Sequence, residues 1–429
     1  MPNCQSFSRR RLLVAGSAAI ALLSTPALAH AYPPGERDNG SATVTAAASK
    51  YEPVKISVPA PTGPNRIGTT ELHLVDHTRQ RELMVSVWYP ARRDADGPTA
   101  KYMPEKTSAA VNPALSKLLG TRDPVFGFAL SDTHARVGVP AQLGRHPVVL
   151  FSPGYQLSRF YNTALVEELA SRGYVVVTMD HTHEGPVEFP GGRFVPGSEI
   201  QEPTAEQLES LIGTRVADTR FVLDQLTLLS RGRNPDADGR KLPRGLRQAL
   251  DIHSVGMFGF SAGGHTAANA MYADGRIRAG VNLDGTLAYD PEKNMLGAAA
   301  VHGLDRPFLL FGSDTTQRTR PDAEYYDKSW ASWWKAQRGW KLNLQLPGSY
   351  QFGFTDYQFF WYDVVFGLIH DEDIANQVQA NTTGIVDRSR AMLAQRTYLT
   401  AFFDQTLRDH PQPLLENQSP DFPEISFVR

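Results

Sequence analysis

Residues 255–266 read VGMFGFSAGGHT, in which an apolar run ends at a serine between glycines. The run Val255–Phe260 carries no charge and has the length of a buried strand, whereas the small residues of Ala262–Ala273 favour a helix. Gly259 and Gly263 have no β-carbons, so the chain can turn from strand to helix at Ser261. Such a turn holds the serine hydroxyl above the sheet, beside the positive end of the helix, and this predicts a nucleophile. A glycine-rich turn of a dinucleotide-binding fold is the alternative, but no G-x-G-x-x-G is present.

Short apolar runs alternate with helical stretches on both sides of this turn. The runs have the composition of buried strands and lie at 148–151, 175–179, 279–283, 308–311 and 342–346. Helical spacing is found at 160–172, 208–229, 330–337, 354–367 and 385–407. Two earlier segments, Glu71–Asp76 and Leu83–Tyr89, alternate apolar and polar residues, which predicts antiparallel edge strands with one solvated face. The whole pattern predicts an α/β fold with a mostly parallel central sheet and helices on both faces.

The charge and the cysteine content exclude several classes of protein. The 429 residues include 43 Lys and Arg and 45 Asp and Glu, which gives a formal charge of −2, and the pI is near 6.6. A nucleic-acid-binding protein would carry a basic surface, so no nucleic-acid partner is expected. Cys4 is the only cysteine. A disulfide framework, a thiolate zinc site and cysteine catalysis are therefore excluded for a protein that loses its first residues.

The N-terminus has the features of an export signal. The block SRRRLL at 8–13 contains twin arginines, an apolar run continues to Leu23, and Ala27 and Ala29 are the small residues that a signal peptidase requires. The run is too short to cross a bilayer comfortably, which disfavours an N-terminal membrane anchor. We expect a twin-arginine-type signal peptide at 1–29, a flexible linker at 30–65, and one domain at 66–429. The processed protein would be secreted or lie at the cell-envelope exterior without a stable membrane anchor, and its formal charge would change from −2 to −5.

Two further segments fit chemistry at Ser261. A serine that attacks an acyl group needs an oxyanion hole, which commonly combines the amide after the nucleophile with an amide from the loop after an earlier strand. These would be the amides of Ala262 and Tyr155, because the segment 152–155 (SPGY) follows directly on a strand, although it could also be an ordinary Pro-Gly turn. The acid is expected after a downstream strand, and Asp284 lies 23 residues after Ser261 in NLDGT (282–286). An aspartate before a glycine can also simply initiate a turn.

Four segments carry a resemblance to a known family. They are PVVLFSPG (147–154), GFSAGG (259–264), NLDG (282–285), and PGS through FTD (347–356), in this order. Together they resemble the secreted platelet-activating-factor acetylhydrolase family, especially its actinobacterial lipase and esterase relatives in the α/β-hydrolase superfamily, from about residue 65 to about residue 405. The resemblance implies a Ser–Asp–His triad, no cofactor, and hydrolysis of carboxylic esters such as short acyl chains on lipids.

Position 351 departs from that family. The family's histidine precedes an F-[AST]-D segment by three residues, and alignment on FTD at 354–356 puts Gln351 there. No histidine lies between His302 and His370, so a shift of a few residues cannot supply one. A glutamine amide cannot accept the serine proton, although it can donate a hydrogen bond toward Asp284. Since loss of a triad member costs about 10⁴ to 10⁶ in rate, conventional triad hydrolysis is in doubt.

Four other histidines are candidates for the missing base. His265 lies one helical turn after Ser261 and should point along or below the helix, and His370 would need an unusual topology. His181 and His183 follow the strand at 175–179 on the sheet edge where such sites form, and the favoured interpretation is that they line the mouth of the pocket. A metal site at HTHE (181–184) lacks further ligands at known spacings.

Eight of the thirteen residues at 350–362 are aromatic. One interpretation is a helix buried on all sides. The other is an apolar wall that holds a bulky or lipid-like substrate beside Ser261, with Phe260, Phe352 and His183 as substrate-binding residues. The expected partner is a small apolar or acyl molecule, and the sequence does not indicate the oligomeric state.

Three functions fit these residues. The first is an exported esterase or lipase with Ser261 as nucleophile and Asp284 as acid, in which a nonstandard group acts as base or Gln351 is itself a substitution. The second uses the same fold and oxyanion hole for acyl transfer, cyclisation or rearrangement of a secreted metabolite. The third is an inactive binding protein, which the retention of the serine, the aspartate and both glycines disfavours. The fold cannot decide between the first two.

Overall fold

The computed structural model describes residues 51–314 and 327–428. The predicted signal peptide (1–29) and residues 30–50 of the predicted linker lie outside the described residues. In chain order the strands are β1 (Ile67–Asp76), β2 (Arg81–Pro90), β3 (Thr99–Lys101), β4 (Asp132–Val137), β5 (His146–Ser152), β6 (Val175–Met179), β7 (Val187–Phe189), β8 (Arg193–Val195), β9 (Leu250–Phe260), β10 (Ile277–Leu283), β11 (Ala288–Asp290), β12 (Met295–Leu296), β13 (Phe308–Ser313), β14 (Lys341–Leu346) and β15 (Ser426–Phe427).

The helices of the described ranges surround these strands. They are α1 (Glu105–Leu118), α2 (Thr163–Ser171), α3 (Ala205–Ser230), α4 (Leu246–Ala249), α5 (Ala262–Ala273), α6 (Ala298–His302), α7 (Lys328–Ala336), α8 (Tyr357–Ile369), α9 (Glu372–Thr383) and α10 (Arg388–Leu407). A single helical turn, Gln351–Phe354, precedes α8. None of these helices is long and apolar enough to span a membrane.

One large sheet contains 11 of the described strands, in the order β15-β14-β13-β10-β9-β5-β6-β2-β1-β4-β3. The strands from β14 to β6 run parallel to one another. β2 pairs antiparallel with β6, and β1 with β2. The predicted α/β fold with a mostly parallel sheet is confirmed.

The two N-terminal strands are antiparallel as predicted, but their predicted place at the edge is wrong. β4 pairs with β1 and β3 pairs with β4, so β1 and β2 lie inside the sheet. The predicted solvated face is absent from β2, whose last eight residues are all buried. β3 contains only 3 residues, which is too short for an alternating pattern to be recognised, and the six residues of β4 (DTHARV) include only two apolar ones.

Side chains of the sheet alternate between two cores. Along β5, Val149 and Phe151 face a core shared with α2, α8, α9 and α10, whereas Val148 and Leu150 face one shared with α3, α5 and α7. Both faces are therefore covered, and the carboxyl ends of the parallel strands share one edge of the sheet. Ser261, Asp284 and the loop after β5 all follow such strand ends, where ligands bind in open α/β sheets.

Residues 51–65 contact the domain, so this part of the predicted linker is not a flexible lead-in. Ile56 and Val58 are buried, and Val54 forms an isolated bridge with Phe126. The amide and the hydroxyl of Thr62 donate to the two carboxylate oxygens of Glu168 at 2.7 and 2.6 Å. The composition of the segment does not reveal this packing, because all these partners lie far along the chain.

Candidate active site

Ser261 occupies a strained turn between β9 and α5. Its backbone angles are φ 52° and ψ −119°, outside the regions that a non-glycine residue ordinarily adopts. A β-carbon on Gly259 would lie 2.1 Å from the carbonyl oxygen of Gly263, and one on Gly263 would lie 1.9 Å from that of Ser152. The glycines on both sides of the serine are therefore required by close backbone approach, as the sequence predicts.

Backbone hydrogen bonds hold the strained serine in place. The amide of Ser261 donates to the carbonyl of Leu283 at 2.9 Å, which ties the turn to the end of β10. The serine carbonyl accepts from the amide of Gly264 at 2.9 Å and begins α5. Ser261 is only half-buried, so a strained but well-anchored hydroxyl is accessible at the sheet edge.

Asp284 directly follows β10 and is completely buried. Its carboxylate accepts from the amide of Ser313 at 2.9 Å and from the Ser313 hydroxyl at 2.7 Å. Asn282 fixes the turn, because its side-chain amide exchanges hydrogen bonds with the backbone of Gly285 at 2.7 and 2.8 Å. The carboxylate is therefore oriented from the β13 side of the site, a contact that the sequence did not predict.

Gln351 lies in the helical turn after β14, between the other two residues. Its Nε2 donates to the main-chain carbonyl of Asp284 at 3.1 Å and to Ser261 Oγ at 3.4 Å. The structure thus brings together all three positions of the predicted Ser–Asp–Gln set. The predicted hydrogen bond toward Asp284 is formed with its backbone rather than with its carboxylate.

The loop after β5 lies beside the serine turn, since the carbonyl of Ser152 is in contact with Gly263. Among the described residues, neither the Tyr155 amide nor the Ala262 amide donates a backbone hydrogen bond. The Ala262 amide belongs to the first turn of α5, where no intrahelical acceptor exists. Both amides are therefore available as donors at the edge of the sheet that carries Ser261.

His181 does not line the mouth of the pocket. It is buried, its Nε2 lies 2.9 Å from Ser152 Oγ, and its Nδ1 lies 3.0 Å from an oxygen of Asp218. Burial, and then the positive charge of Arg215, lower the pKa of His181. The neutral ring therefore donates through Nδ1 to Asp218 and accepts the Ser152 proton at Nε2, so both nitrogens are used by the core.

The remaining histidines also lie away from the chemistry. His183 is exposed at φ 74°, on the segment whose Gly185 contacts the backbone of Gln156 and Leu157. His265 is buried, stacks on Tyr289 with centroids 5.0 Å apart, and burial lowers its pKa to about 3. His370 ends α8 in a left-handed conformation. Among the described residues, no side chain of these three histidines hydrogen-bonds to Ser261. His265 reaches it only through its backbone amide, which donates to the Ser261 carbonyl at 3.2 Å.

The aromatic segment divides between core and site. Five of its aromatic residues are buried in the core that α2 and α10 share: Phe354, Tyr357, Phe359, Phe360 and Trp361. The last four lie on α8, as the buried-helix interpretation predicts. Phe352 is only partly buried and stands next to Gln351, with its ring centroid 6.0 Å from that of Phe260. Phe260 itself is 1% exposed and also contacts the Gly154 position. Phe352 therefore presents apolar surface beside the serine, whereas Phe260 supports it from below.

Several polar residues of the site were not singled out from the sequence. The group comprises Ser152, Arg215, Asp218 and Ser313, all of which are buried and hydrogen-bonded around the strand ends. A charged residue on the apolar stripe of a predicted amphipathic helix is the signal that would have identified Arg215.

Comparison with known proteins agrees with this architecture. Residues 51–187 match the family described as platelet-activating factor acetylhydrolase, isoform II. An Arthroderma benhamiae protein named "Probable 1-alkyl-2-acetylglycerophosphocholine esterase" is 28% identical over 420 residues, or 90% of this chain and 97% of that one. The platelet-activating factor acetylhydrolase of Cavia porcellus is 24% identical over 323 residues, or 71% of this chain and 70% of that one.

A solved structure of another esterase is similar to this chain at higher sequence identity. The ferulic acid esterase from Streptomyces cinnamoneus is 35% identical and superimposes with a TM-score of 0.68. The match covers 87% of this chain and 99% of that chain. The similarity therefore extends over most of this chain.

Proposed function

The chain belongs to the platelet-activating factor acetylhydrolase family of α/β-hydrolases, and we propose that Ser261 is the nucleophile of its esterase activity. In this proposal Asp284 is the acid, the amides of Ala262 and Tyr155 form the oxyanion hole, and Gln351 occupies the position of the usual histidine. The observation that carries the proposal is the strained Ser261, with the Gln351 amide 3.4 Å from its Oγ and 3.1 Å from the Asp284 carbonyl.

The glutamine changes how the serine proton is handled. Because Gln351 donates to Ser261 Oγ, it accepts no proton there, and the hydroxyl hydrogen is free to point toward the substrate. The oxyanion hole still lowers the barrier, and such a site without a base retains about 10³ to 10⁴ over water. Esters with good leaving groups, such as aryl esters, would be turned over best, since they need little proton transfer to depart.

The names of the relatives narrow the class of substrate. They refer to an alkyl-acetylglycerophosphocholine and to ferulic acid, a lipid ester and an aromatic acid. We propose a small carboxylic ester with an apolar portion for this chain, which Phe352 would contact beside Ser261. No nucleic acid is part of this proposal.

Non-hydrolytic chemistry is the second candidate function. It is favoured by one observation, namely that Gln351, whose side chain hydrogen-bonds to Ser261 Oγ, offers an amide donor there rather than a base. A pocket of this kind can polarise a substrate carbonyl and fix its geometry for acyl transfer, cyclisation or rearrangement without water attack. An inactive binding protein is the third candidate and predicts no turnover at all.

A fluorophosphonate probe tests the proposal directly. The purified protein and its Ser261→Ala variant are incubated with the probe, and the labelled peptide is identified by mass spectrometry. We expect slow labelling of Ser261 in the wild-type protein and none in the variant. Ser230→Ala provides the matched control, because Ser230 lies at the end of α3, where its hydroxyl donates to the Thr227 carbonyl, and labelling of Ser261 should be unchanged. Absence of labelling at Ser261 would favour the second or third candidate.

Export is a separate part of the proposal. It rests on the twin arginines and on the small residues before His30. N-terminal sequencing of material from outside the cell should find a start near His30 or Tyr32. An intact Met1 on exported protein would contradict the signal peptide.

A further inference from the structure

Arg215 reaches from α3 to the backbone of the loop after β5. Its side chain is 1% exposed, its Nη1 donates to the carbonyl of Pro153 at 2.6 Å, and its Nη2 donates to the carbonyl of Gly154 at 3.1 Å. Two consecutive carbonyls of the loop that carries Tyr155 therefore point at one buried guanidinium. Hydrogen bonds from a charged donor are about twice as strong as neutral ones.

The guanidinium of Arg215 is itself held in place by a carboxylate. Glu184 accepts from Nε of Arg215 at 2.9 Å and from Nη2 at 2.5 Å. The start of the loop is fixed independently, because Ser152 Oγ bonds to His181, which bonds to Asp218. Arg81 completes this chain by donating to Asp218 through Nε at 2.7 Å. The loop is thus held by buried, charged side chains on the side away from the substrate.

The geometry of the Gly154–Tyr155 peptide fixes the direction of the Tyr155 N–H. The Gly154–Tyr155 peptide is planar and trans, so its carbonyl and its N–H point in opposite directions. Since the Gly154 carbonyl points at Arg215, the Tyr155 N–H points away from Arg215, and it donates no backbone hydrogen bond among the described residues. The positive charge of the Arg215 guanidinium, next to the Gly154 carbonyl oxygen, also polarises the peptide and strengthens the Tyr155 N–H as a donor.

We propose that Arg215 is a positioning residue that aims and polarises the Tyr155 amide as an oxyanion donor. Its catalytic consequence rests on the proposed function of Ser261, whereas its effect on the amide does not. In this view the Arg215–Glu184 pair is part of the active site although neither side chain touches the substrate. The class of ligand served is the developing oxyanion of an ester carbonyl, which a preorganised N–H stabilises.

Selective labelling allows the amide to be observed by itself. The chain contains only two Gly–Tyr pairs, at 154–155 and 173–174. Protein made with ¹³C in the glycine carbonyl and ¹⁵N in the tyrosine amide therefore gives two correlated NMR signals. The second signal is an internal control, because the Gly173 carbonyl accepts from Arg408 Nη2 at 2.8 Å.

The variants move the two signals separately. Arg215→Lys, and Arg215→Met combined with Glu184→Gln so that no lone charge stays buried, should shift the Tyr155 ¹⁵N signal upfield and leave that of Tyr174 in place. Arg408→Met should do the reverse. If Arg408→Met moves the Tyr174 signal while no Arg215 variant moves that of Tyr155, the inference is overturned.

Paired substrates test the catalytic consequence. An aryl ester and its thionoester differ in the carbonyl atom, and sulfur accepts hydrogen bonds weakly, so only the oxygen ester depends strongly on the oxyanion hole. The double variant should lose about 10²-fold in kcat on the ester and much less on the thionoester. Arg306→Met is the matched control, because Arg306 also binds backbone carbonyls, of Met271 and Ile277, and the ester-to-thionoester ratio should stay constant.

The outcomes separate this inference from the proposed function. Equal losses on both substrates, with Ser261→Ala inactive, would overturn the catalytic role of Arg215 and leave the nucleophile intact. Ester turnover that survives Ser261→Ala would overturn the proposed function, and the NMR signals alone would then decide the orientation of the Tyr155 amide.

Discussion

Position 351 determines what chemistry the serine can do. The Gln351 amide reaches both Ser261 Oγ and the Asp284 carbonyl, so the side chain lies between the proposed nucleophile and the proposed acid. It preserves the geometry there but supplies no group that can take a proton near neutral pH. The Asp284 carboxylate, held by Ser313, would still be present to orient an imidazole placed at 351.

Gln351→His should therefore increase ester hydrolysis. The imidazole would take the Ser261 proton and return it to the leaving group, and the expected gain is on the order of 10² or more, because a lost triad member costs about 10⁴. Hydrolysis of a short aryl ester by both proteins, with Tm as folding control, measures it. Gln351→Asn is the matched variant without a base and should gain nothing. A folded Gln351→His protein with no gain would favour non-hydrolytic chemistry.

His181 and His183 differ in what their replacement should do, although they are two residues apart. His183 is exposed at φ 74°, and asparagine tolerates this conformation, so His183→Asn should leave ester turnover and Tm unchanged. His181→Asn should lower Tm, because Ser152 and Asp218 both lose the ring between them. Turnover and thermal unfolding of the pair provide the test. A tenfold loss of turnover in folded His183→Asn would make His183 the missing base.

At the scale of elements, the segment at 51–65 is hydrogen-bonded to both α2 and α10. Thr62 binds Glu168 on α2, and Arg396 on α10 donates to the carbonyls of Pro59 and Ala60 at 2.7 and 2.9 Å. Burial acts to raise the pKa of Glu168, but hydrogen bonds from Thr62 and Arg172 outweigh it and hold the pKa below its usual value. The segment therefore supplies donors that keep a buried carboxylate charged.

Thr62→Val should destabilise the fold without changing the site. The substitution keeps the shape of the side chain but removes the hydroxyl that donates to Glu168 at 2.6 Å, and leaving that carboxylate under-satisfied costs about 1 to 3 kcal/mol. Urea unfolding of the two proteins measures the loss. Thr397→Val is the matched control, since its hydroxyl donates to the Leu393 carbonyl of its own helix and its removal is expected to matter little. Equal effects of both changes would show that the segment does not stabilise the domain.

At the scale of the whole molecule, the sequence predicted those features of the structure that depend on neighbouring residues alone. Short stretches of sequence were sufficient to predict the central strands, the turn at Ser261 and the position of Asp284 after a strand. The contacts of Thr62 with Glu168 and of Arg215 with Pro153 join residues 106 and 62 positions apart, and no local pattern contains them. The same holds for β4, which its pairing with β1 defines as a strand, and for β3, which is defined by its pairing with β4.

Several buried titratable groups have shifted pKa values, and these shifts make the free energy of unfolding depend on pH in both acidic and alkaline solution. Burial lowers the pKa values of His146, His181 and His265, so the unfolded chain binds more protons than the folded one below about pH 6.5, and acid destabilises the protein. Asp356 acts in the opposite sense. It is completely buried, it accepts from the Tyr102 hydroxyl at 2.9 Å and from the Ala164 amide at 3.2 Å, and burial raises its pKa to about 8.

The sign for Asp356 follows from proton binding. Since its pKa is higher in the folded state than in the unfolded chain, the folded state keeps a proton that the unfolded chain has lost above about pH 4. Its contribution to the free energy of unfolding is therefore largest at low pH and declines as the pH rises to about 8. Above that value both states are ionised and the contribution stays constant.

Asp356→Asn should remove this alkaline loss of stability, because the amide stays neutral and its oxygen still accepts from Tyr102 and Ala164. The free energy of unfolding of the variant, relative to wild type, should increase from about pH 5 to about pH 8 and then level off. Urea titrations of both proteins over this range measure the difference. Asp94→Asn is the control, since Asp94 is exposed and Arg92 lowers its pKa, so it stays ionised throughout. Parallel curves for wild type and Asp356→Asn would mean that Asp356 is already ionised in the folded protein at pH 5, with Tyr102, Ala164 and the nearby Arg396 outweighing its burial.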